Sequence, residues 1–567
     1  MPKLKIDANG IHLYAKNKLE TEKAKSIIGR EYNKNTKSWH YPVTCIKSIL
    51  AVFYSLDTDE KIDDAYKNNK LDEKLYKLIK KIERTQEEVN NLKKGGPSGE
   101  DDFLFAHQQL CREIAERYSR YAFFLDTGTG KTIAALQIIY DDVMNKSNKR
   151  KWLVVCKLSL IRNAWIADCE KYYPELKIVN LHKNDAAFEK EADIYIINYE
   201  SFTRRFDKIR NLNIDGVIID ESSKMKSPKS NITKTLLTFS KEVERWYILS
   251  GEPAPNTMEE YFAQMKSIDP SLLGSIFSNF RAVWFYPVNR GNFTKYEITP
   301  EKESQMIQQI KKRAIYKSKE ECFDLPGKVD VVREIEMPSD LKKKYATMKK
   351  QLYTLLGDDF VLAPNVAVSL GKLNQLTSGI LIDEDQTHRV SDAKIKVLEE
   401  VLEEIPKNRQ VIIWAHYKEE FRMIKELLGE RSVTYNSQTD AEQVEPLVEY
   451  HYGKGSFNNF REDGYTVKDL AEKLFKDGKV KYFIANSASI GHGATLTNCS
   501  YSIYYCLTYS WENFKQSKDR IYRYSQKEKC TYIYLLMEKS IDYILFNTLQ
   551  SKGDMSKRVL EHLKTGV

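Results

Sequence analysis

Cysteine is scarce in this chain of 567 residues, and what there is forms no pattern. Eight thiols stand at Cys45, Cys111, Cys156, Cys169, Cys322, Cys499, Cys506 and Cys530, with no C-x-x-C pair and no histidine at ligand spacing. Structural zinc and a disulfide framework are therefore not expected. Single thiols in apolar runs such as WLVVCKL and YYCLTY read as small buried hydrophobes in a reducing compartment. Long apolar runs are missing too: none approaches the roughly 18 residues a membrane span needs, so no membrane partner is expected. The opening MPKLKIDANGIHLYAKN lacks an apolar core followed by a small-residue cleavage site, so no export signal is read there. Nor does one charge dominate. Lys+Arg 89 against Asp+Glu 80 leaves +9, an excess that fits a polyanion partner but not a histone-like tail.

What is present is a globular composition, 42% hydrophobic and 30% charged, long enough for about three or four domains. A one-site binding module would not need that length. The richness in Lys, Ile, Asn and Tyr, with 35 tyrosines, is the bias of an AT-rich genome. Together with the missing export signal it points to the cytoplasm of a bacterial or phage-infected cell.

Residues 1–56 alternate short β-like runs with one helical stretch and read as a small α+β domain. Residues 57–102 read as a charged helix, with Leu71, Leu75, Leu78, Ile79 and Ile82 at spacings of three and four, followed by the flexible joint KKGGPSGEDD. Beyond Phe103, short apolar runs (YAFFLD, KWLVVCK, IKVLEEVL, QVIIWAH, KYFIANS, SYSIYYCL, TYIYLLM) alternate with amphipathic segments, the signature of parallel α/β sheets. They form two series, assigned to lobes at 103–270 and 391–567 and separated by a helical, basic region at 271–390. Residues 441–466 break the second series without clear periodicity and read as a surface insertion.

The strongest local signal is YAFFLDTGTGKTIAALQII, where an apolar strand runs through Thr127-Gly128-Thr129-Gly130-Lys131-Thr132 into a helix. Glycines there let backbone N–H groups close around phosphate oxygens at a helix N-terminus. Lys131 then reaches the terminal phosphates of a nucleotide, and the Thr132 hydroxyl is a ligand for Mg²⁺. The first glycine of the phosphate-loop pattern is replaced by Leu125. About 90 residues on, NIDGVIIDESSKMKSPKS places Asp220-Glu221 at the end of an apolar strand. An acid emerging there can hold Mg²⁺, and its neighbour can orient or deprotonate the attacking water.

From Phe103 to Leu549 the order of segments resembles the Swi/Snf-like translocases of helicase superfamily two, through FLFAHQQLCREI, WLVVCKLSLIRNAWIADCEKYYP, IINYESF, DESSKMKSPKS, LSGEPAPNTMEEYFAQM, LPGK, SDAKIKVLEEVL, QVIIWAHYKEEFRMIKELL, NSASIGHGATLTNCSYSIYY and WENFKQSKDRIYRYSQ. The resemblance implies an α/β fold of two RecA-like parallel-sheet lobes with helical insertions, binding ATP and Mg²⁺. It makes Gln108 the adenine partner and places Gly491 in the nucleotide cleft. Gln516, Arg520 and Arg523 are expected on one helix of the second lobe, facing the γ-phosphate. Lys157, Ser159, Tyr199, Ser487 and Trp511 become the expected contacts to nucleic acid. Two departures stand out: the acidic box reads DESS, with Ser222 and Ser223 where a small residue and then His, Asp or Cys are usual, and Glu252 replaces the usual small hydroxyl residue in LSGEPAPN.

The N-terminal IIGREYNKNTKSWHYPV resembles the small domain of HepA-related (HARP) annealing helicases, on Tyr32, Thr36, Lys37, Trp39 and Pro42. There Lys37 and Trp39 are candidates for DNA contact, while Trp39 reads equally as the core of a small β fold. The expected function is that of a DNA-dependent ATPase moving along double-stranded or branched DNA as a monomer, in replication, repair or recombination and beside proteins of those processes. A strand-separating DNA or RNA helicase and a non-hydrolysing DNA-binding scaffold are the rival readings.

Overall fold

The computed structural model describes residues 3–551 except 8–9, 28–30, 34–35, 42–44, 55–58, 69–72, 93–103, 145–149, 183–184, 290–293, 358–362, 384–385, 464 and 490–494. The chain divides into two compact units, one built on residues 1–322 and the other on 323–555.

Among the described residues the first unit holds a four-stranded and a seven-stranded sheet, besides a small antiparallel pair, Tyr286–Asn289 with Thr294–Glu297. At its start, strands Lys3–Asp7, Gly10–Tyr14, Ser38–Tyr41 and Glu31–Asn33 pair antiparallel in that spatial order. Ile11, Leu13 and Tyr41 bury against Ile46, Ile49 and Leu50 of the helix Ile46–Tyr54 and against Ile62, Ala65 and Ile79 of the following helices. The helix Glu73–Leu92 thus serves two cores, since its Val89 packs with Leu110, Ile114 and Tyr118 of the larger domain. Its charges cover the remaining surface.

The larger sheet has seven parallel strands in the order Ala314–Lys317, Arg120–Leu125, Arg245–Ser250, Gly216–Asp220, Trp152–Cys156, Ile194–Asn198 and Ile178–Asn180. Its central strands are apolar throughout because helices cover both faces, giving one core around Phe124, Val155, Ile197 and Ile219 and another around Phe123, Val154, Ile196 and Ile218. The edge strand Ala314–Lys317 comes from the region read as helical and inter-lobe.

The second unit carries six parallel strands in the order Lys328–Ile335, Cys530–Met537, Tyr501–Tyr504, Val411–Trp414, Tyr482–Ala485 and Ser432–Tyr435. IKVLEEVL, grouped with the strand-like runs in sequence, lies in the helix Ala393–Glu404, whose Ile395, Leu398, Val401 and Leu402 bury at helical spacing. Residues 441–466 fold into helices Ala441–Tyr452 and Ser456–Glu462, anchored by Val444, Leu447, Val448 and Phe457; Pro446 inside the first obscures its period. The two sheets make the fold that of two RecA-like α/β lobes. All eight cysteines are free thiols, seven of them buried. Among the described residues no helix is long and apolar enough to cross a membrane, and no group of three or more His, Cys, Asp and Glu side chains could hold a metal ion.

Candidate nucleotide site

Three adjacent strands of the seven-stranded sheet release the candidate chemistry from their carboxyl ends, the edge where open α/β sheets bind ligands. Arg120–Leu125 leads into the glycine loop, Gly216–Asp220 into the acidic pair, and Arg245–Ser250 between them into Gly251. Gly128 and Gly130 both take positive φ, 87° and 77°, which lets the loop turn tightly into the 14-residue helix Lys131–Met144. A Cβ on Gly130 would stand 2.3 Å from Gln108 Nε2, so glycine is required there for space as well as for backbone shape. On the other side, a Cβ on Gly251 would meet Thr127 Oγ1 at 3.0 Å.

The loop is held from beneath. Thr129 is buried and donates its hydroxyl to Asp126 O at 2.8 Å, and Thr127 N donates to Asp126 Oδ1 at 3.0 Å. His107 Nε2 lies 2.7 Å from Thr129 O, and burial lowers the pKa of that ring. Gln108 donates Nε2 to Thr129 O and Gly130 O, at 3.3 and 3.2 Å, while its Oε1 accepts from Phe105 N at 3.0 Å. Both ends of the buried Gln108 carboxamide, the expected adenine partner, are engaged with backbone, so this side chain also braces the loop. The same engagement brings in His107, one residue earlier in FLFAHQQL, which sequence reasoning passed over.

Lys131 Nζ folds onto Leu125 O at 3.1 Å and Asp126 O at 3.3 Å, inside the loop it is expected to serve. Thr132 follows at the start of the helix, half-buried. These features fit a nucleotide phosphate: a glycine cradle, helix N–H groups and an ammonium together.

Asp220 is buried, with Oδ2 accepting from Trp165 Nε1 at 2.9 Å. Burial first, and the Glu221 charge second, push its carboxyl up from 3.8 to about 6; the Trp165 hydrogen bond, Lys131 and Lys157 oppose the rise. A divalent cation would supply the positive charge this buried acid lacks, so the site fits Mg²⁺ held by Asp220 and Thr132. Glu221, half-buried, stands in the left-handed region at φ 59°, ψ 56°. Tyr199 fixes that turn, its hydroxyl donating to Asp220 O at 2.6 Å and Glu221 O at 3.2 Å. Tyr199, one of the expected nucleic-acid contacts, is 1% exposed, with its hydroxyl engaged by the acidic loop.

The unusual DESS box has its own connection. Ser222 donates Oγ to Gln264 Oε1 at 2.7 Å, and Gln264 Nε2 donates to Pro253 O at 2.6 Å, tying the acidic box to LSGEPAPN. Glu252 itself is half-buried, with its backbone N donating to Ser250 Oγ at 3.1 Å. A charge is tolerated there because the side chain is not enclosed.

Of the expected nucleic-acid contacts in this unit, Lys157 is half-buried and Ser159 exposed, beside an exposed Leu158. In the N-terminal sheet Lys37 is exposed at φ 51°, and Trp39 is half-buried with its ring 4.9 Å from that of Tyr32. Pro42 lies outside the described residues.

In the second unit the helix Trp511–Lys518 carries Trp511 and Gln516, whose Nε2 donates to Glu512 Oε1 at 3.2 Å. The helix stops there. Arg520 and Arg523 sit in the turns beyond it, contrary to the expectation of one shared helix, because the chain bends toward the strand Cys530–Met537 and Gln526 pins the bend by donating to Cys499 O and Ile521 O. Arg523 donates Nε to Asp519 O at 3.0 Å and Nη1 to Thr495 Oγ1 at 2.6 Å. Burial, then the neighbouring Arg523, pushes the Arg520 guanidinium down to about 9, and burial lowers Arg523 as well. The Asp519 and Glu472 charges oppose the lowering of both groups. Ser487 is half-buried after the strand Tyr482–Ala485, and Gly491 lies outside the described residues. Lys394 of SDAKIKVLEEVL is buried in an ion pair, Nζ 2.7 Å from Asp542 Oδ2, while Thr377 Oγ1 donates to Asp542 Oδ1 at 2.7 Å.

Two parallel α/β sheets, one releasing a glycine loop and an acidic pair from its strand ends, form a fold suited to binding a nucleotide. The match to known families is in accord: residues 122–376 match the SNF2-related domain. Over that stretch, a little under half of its length, the chain is similar to Swi/Snf-like proteins. It is 23% identical over 461 residues to protein p41 of Acyrthosiphon pisum secondary endosymbiont phage 1, covering 77% of this chain and 93% of that one. It is 21% identical over 464 residues to the DNA annealing helicase and endonuclease ZRANB3 of Bos taurus, covering 77% of this chain and 39% of the relative. The chain thus spans well under half the length of that larger relative. A solved SWI2/SNF2 ATPase core from Sulfolobus solfataricus, in complex with dsDNA, aligns over 82% of this chain and 94% of its own at 18% identity and a TM-score of 0.37.

Proposed function

We propose that this protein is a DNA-dependent ATPase that moves along double-stranded DNA and remodels forked or branched DNA, acting as a monomer in replication, repair or recombination within a bacterial or phage-infected cell. The observation that carries the reading is the glycine loop and the acidic pair at the carboxyl ends of strands one apart in the same parallel sheet, inside a stretch matching an SNF2-related domain. The naming of ZRANB3 as an annealing helicase supports the remodelling part.

In this reading Lys131 and the N–H groups of 127–132 bind the phosphates of ATP. Mg²⁺, when held by Thr132 and Asp220, neutralises phosphate charge. Glu221 takes the proton of the attacking water, and the Tyr199 hydrogen bonds aim it. Arg520 and Arg523 carry guanidinium groups and Gln516 a hydrogen-bond donor of the kind that stabilises a transferring phosphoryl group. Lys157, Ser159, Ser487 and Trp511 meet the DNA backbone, and Lys37 with Trp39 meets branched DNA. Contacts of that kind are mostly to phosphate, so binding is salt-sensitive and weak in sequence preference.

The test is ATP turnover by the full chain with duplex, single-stranded, forked and four-way-junction DNA and with RNA. Stimulation by duplex and branched DNA is expected. Stimulation only by single strands or RNA would favour a strand-separating helicase, and no hydrolysis with any of them would favour a scaffold.

A further inference from the structure

Trp165 has no role in the reading so far beyond its hydrogen bond. It belongs to a helical run from Leu158 to Tyr172 that follows the strand Trp152–Cys156, the parallel neighbour of the strand ending in Asp220. That run is irregular: between Ile161 and Ile166 it widens into a π-helix before returning to α geometry. Such single-turn widenings are costly and recur at functional sites. Here the widened turn divides the segment's faces. Leu158, Ser159, Arg162 and Asn163 are exposed, whereas Trp165 is wholly buried and aims its indole N–H at the Asp220 carboxylate.

Burial of a tryptophan only requires that its N–H find some acceptor, and a backbone carbonyl would do. In this chain the acceptor is the acid proposed to hold Mg²⁺. A second segment repeats the arrangement, since Tyr199, which opens the helix Tyr199–Arg204, donates to the backbone of the same acidic loop. Two aromatic donors from two separate strand ends therefore converge on Asp220-Glu221, one on the side chain and one on the backbone.

We infer that Trp165 is a positioning residue that couples the exposed edge formed by Leu158, Ser159, Arg162 and Asn163 to the acidic pair: a nucleic-acid backbone bound on that edge shifts the widened turn, and the indole N–H carries the shift to the Asp220 carboxylate. This rests on the proposed DNA-dependent ATPase. The hydrogen bond spans 2.9 Å, so a displacement of a few tenths of an ångström along the helix alters it. Partners of this kind behind a metal-holding carboxylate change activity or metal affinity by roughly ten- to a hundredfold.

The test is W165F, which keeps an aromatic ring and removes the N–H. Turnover at saturating duplex DNA should fall about tenfold or more, and the Mg²⁺ concentration for half-maximal rate should rise. The KM for ATP and the affinity for fluorescent duplex without nucleotide should change little. The ratio of stimulated to unstimulated turnover is the deciding readout, because a merely structural loss lowers both rates alike. An unchanged ratio with a stimulated wild type overturns the inference alone, whereas a wild type indifferent to DNA overturns the functional reading and this inference with it. Should W165F fail to fold, the full chain labelled with 5-fluorotryptophan answers the question, its seven resonances assigned by substituting the other six tryptophans. The Trp165 resonance should move when duplex is added without ATP, and a resonance unmoved at saturating duplex overturns the coupling.

Discussion

In the seven-stranded sheet the chemistry-bearing groups sit directly on strand ends, and each is held by a side chain from a neighbouring element: Gln108 under the glycine loop, Trp165 and Tyr199 on the acidic pair. In the six-stranded sheet the candidate groups, Arg520 and Arg523, lie in turns between a helix and the strand Cys530–Met537, Arg523 held by Asp519 O and Thr495 Oγ1. Both sheets are parallel and buried alike, so the difference is not one of fold. Acidic and glycine loops need a fixed backbone to aim N–H groups and short carboxylates. A long guanidinium carries its charge far from its own backbone and tolerates a looser seat.

The largest effect that can break this comparison lies in the first sheet. Lys131→Ala should abolish ATP hydrolysis and weaken nucleotide binding. Glu221→Gln should bind ATP normally while turnover falls by about 10² or more, since the water-activating step alone is lost. Single-turnover assays and nucleotide titration check both, and near wild-type turnover in Glu221→Gln would remove that residue from the mechanism. Next, Arg523→Ala should leave ATP affinity largely intact and lower turnover on the scale of about 10³. Arg520→Ala should do the same. Because Arg520 is 2% exposed, its thermal unfolding must be followed in parallel. If both variants hydrolyse ATP normally with DNA present, the second sheet contributes no catalytic charge.

A smaller effect concerns the N-terminal sheet. Lys37→Asn removes a charge while asparagine tolerates the left-handed backbone at that position, φ 51°. Affinity for forked DNA should fall by roughly tenfold or less, more than affinity for plain duplex, and the salt dependence should flatten. Equal affinities across DNA shapes, before and after substitution, would make this sheet a packing element.

The smallest effect sharpens the account of the Leu158–Tyr172 run. Burial pushes the Asp168 carboxyl up to about 6, with Lys171 opposing. The folded protein therefore holds that proton more tightly than the unfolded chain. The favourable contribution is complete below about pH 4 and is lost as pH rises through about 6. Asp168→Asn should leave stability unchanged near pH 4 and raise it by about 1 kcal/mol at pH 7.5, a figure discounted because the group is only partly buried. Thermal melts at the two pH values decide it.

The phosphate loop was legible because its signal is contiguous: strand, glycines, lysine and helix occupy neighbouring positions. Asp220-Glu221 was legible for the same reason, an apolar strand ending in acid. The bonds by which Gln108 and Tyr199 brace the two loops were not legible, because burial and backbone partners are tertiary properties that a motif does not encode. For Arg520 and Arg523 the resemblance implied a shared helix, but the turn is set by Gln526 and its acceptors Cys499 and Ile521. Trp165 left a weaker trace: a tryptophan among apolar neighbours reads as core, and only the parallel pairing of its strand with Gly216–Asp220 gives it an acidic partner.

The edge strands carry a consequence for how the protein is made. Ala314–Lys317 closes the first sheet beside Arg120–Leu125, so that unit has all seven strands once synthesis has passed residue 317. The second sheet cannot do likewise. Its edge strand Lys328–Ile335 has one partner, Cys530–Met537, emerging nearly 200 residues later, and Tyr501–Tyr504 waits for the same strand. On the ribosome the first unit can therefore fold while the second remains an open sheet in search of its penultimate strand, and that interval of exposed edges is when this protein has most need of a chaperone.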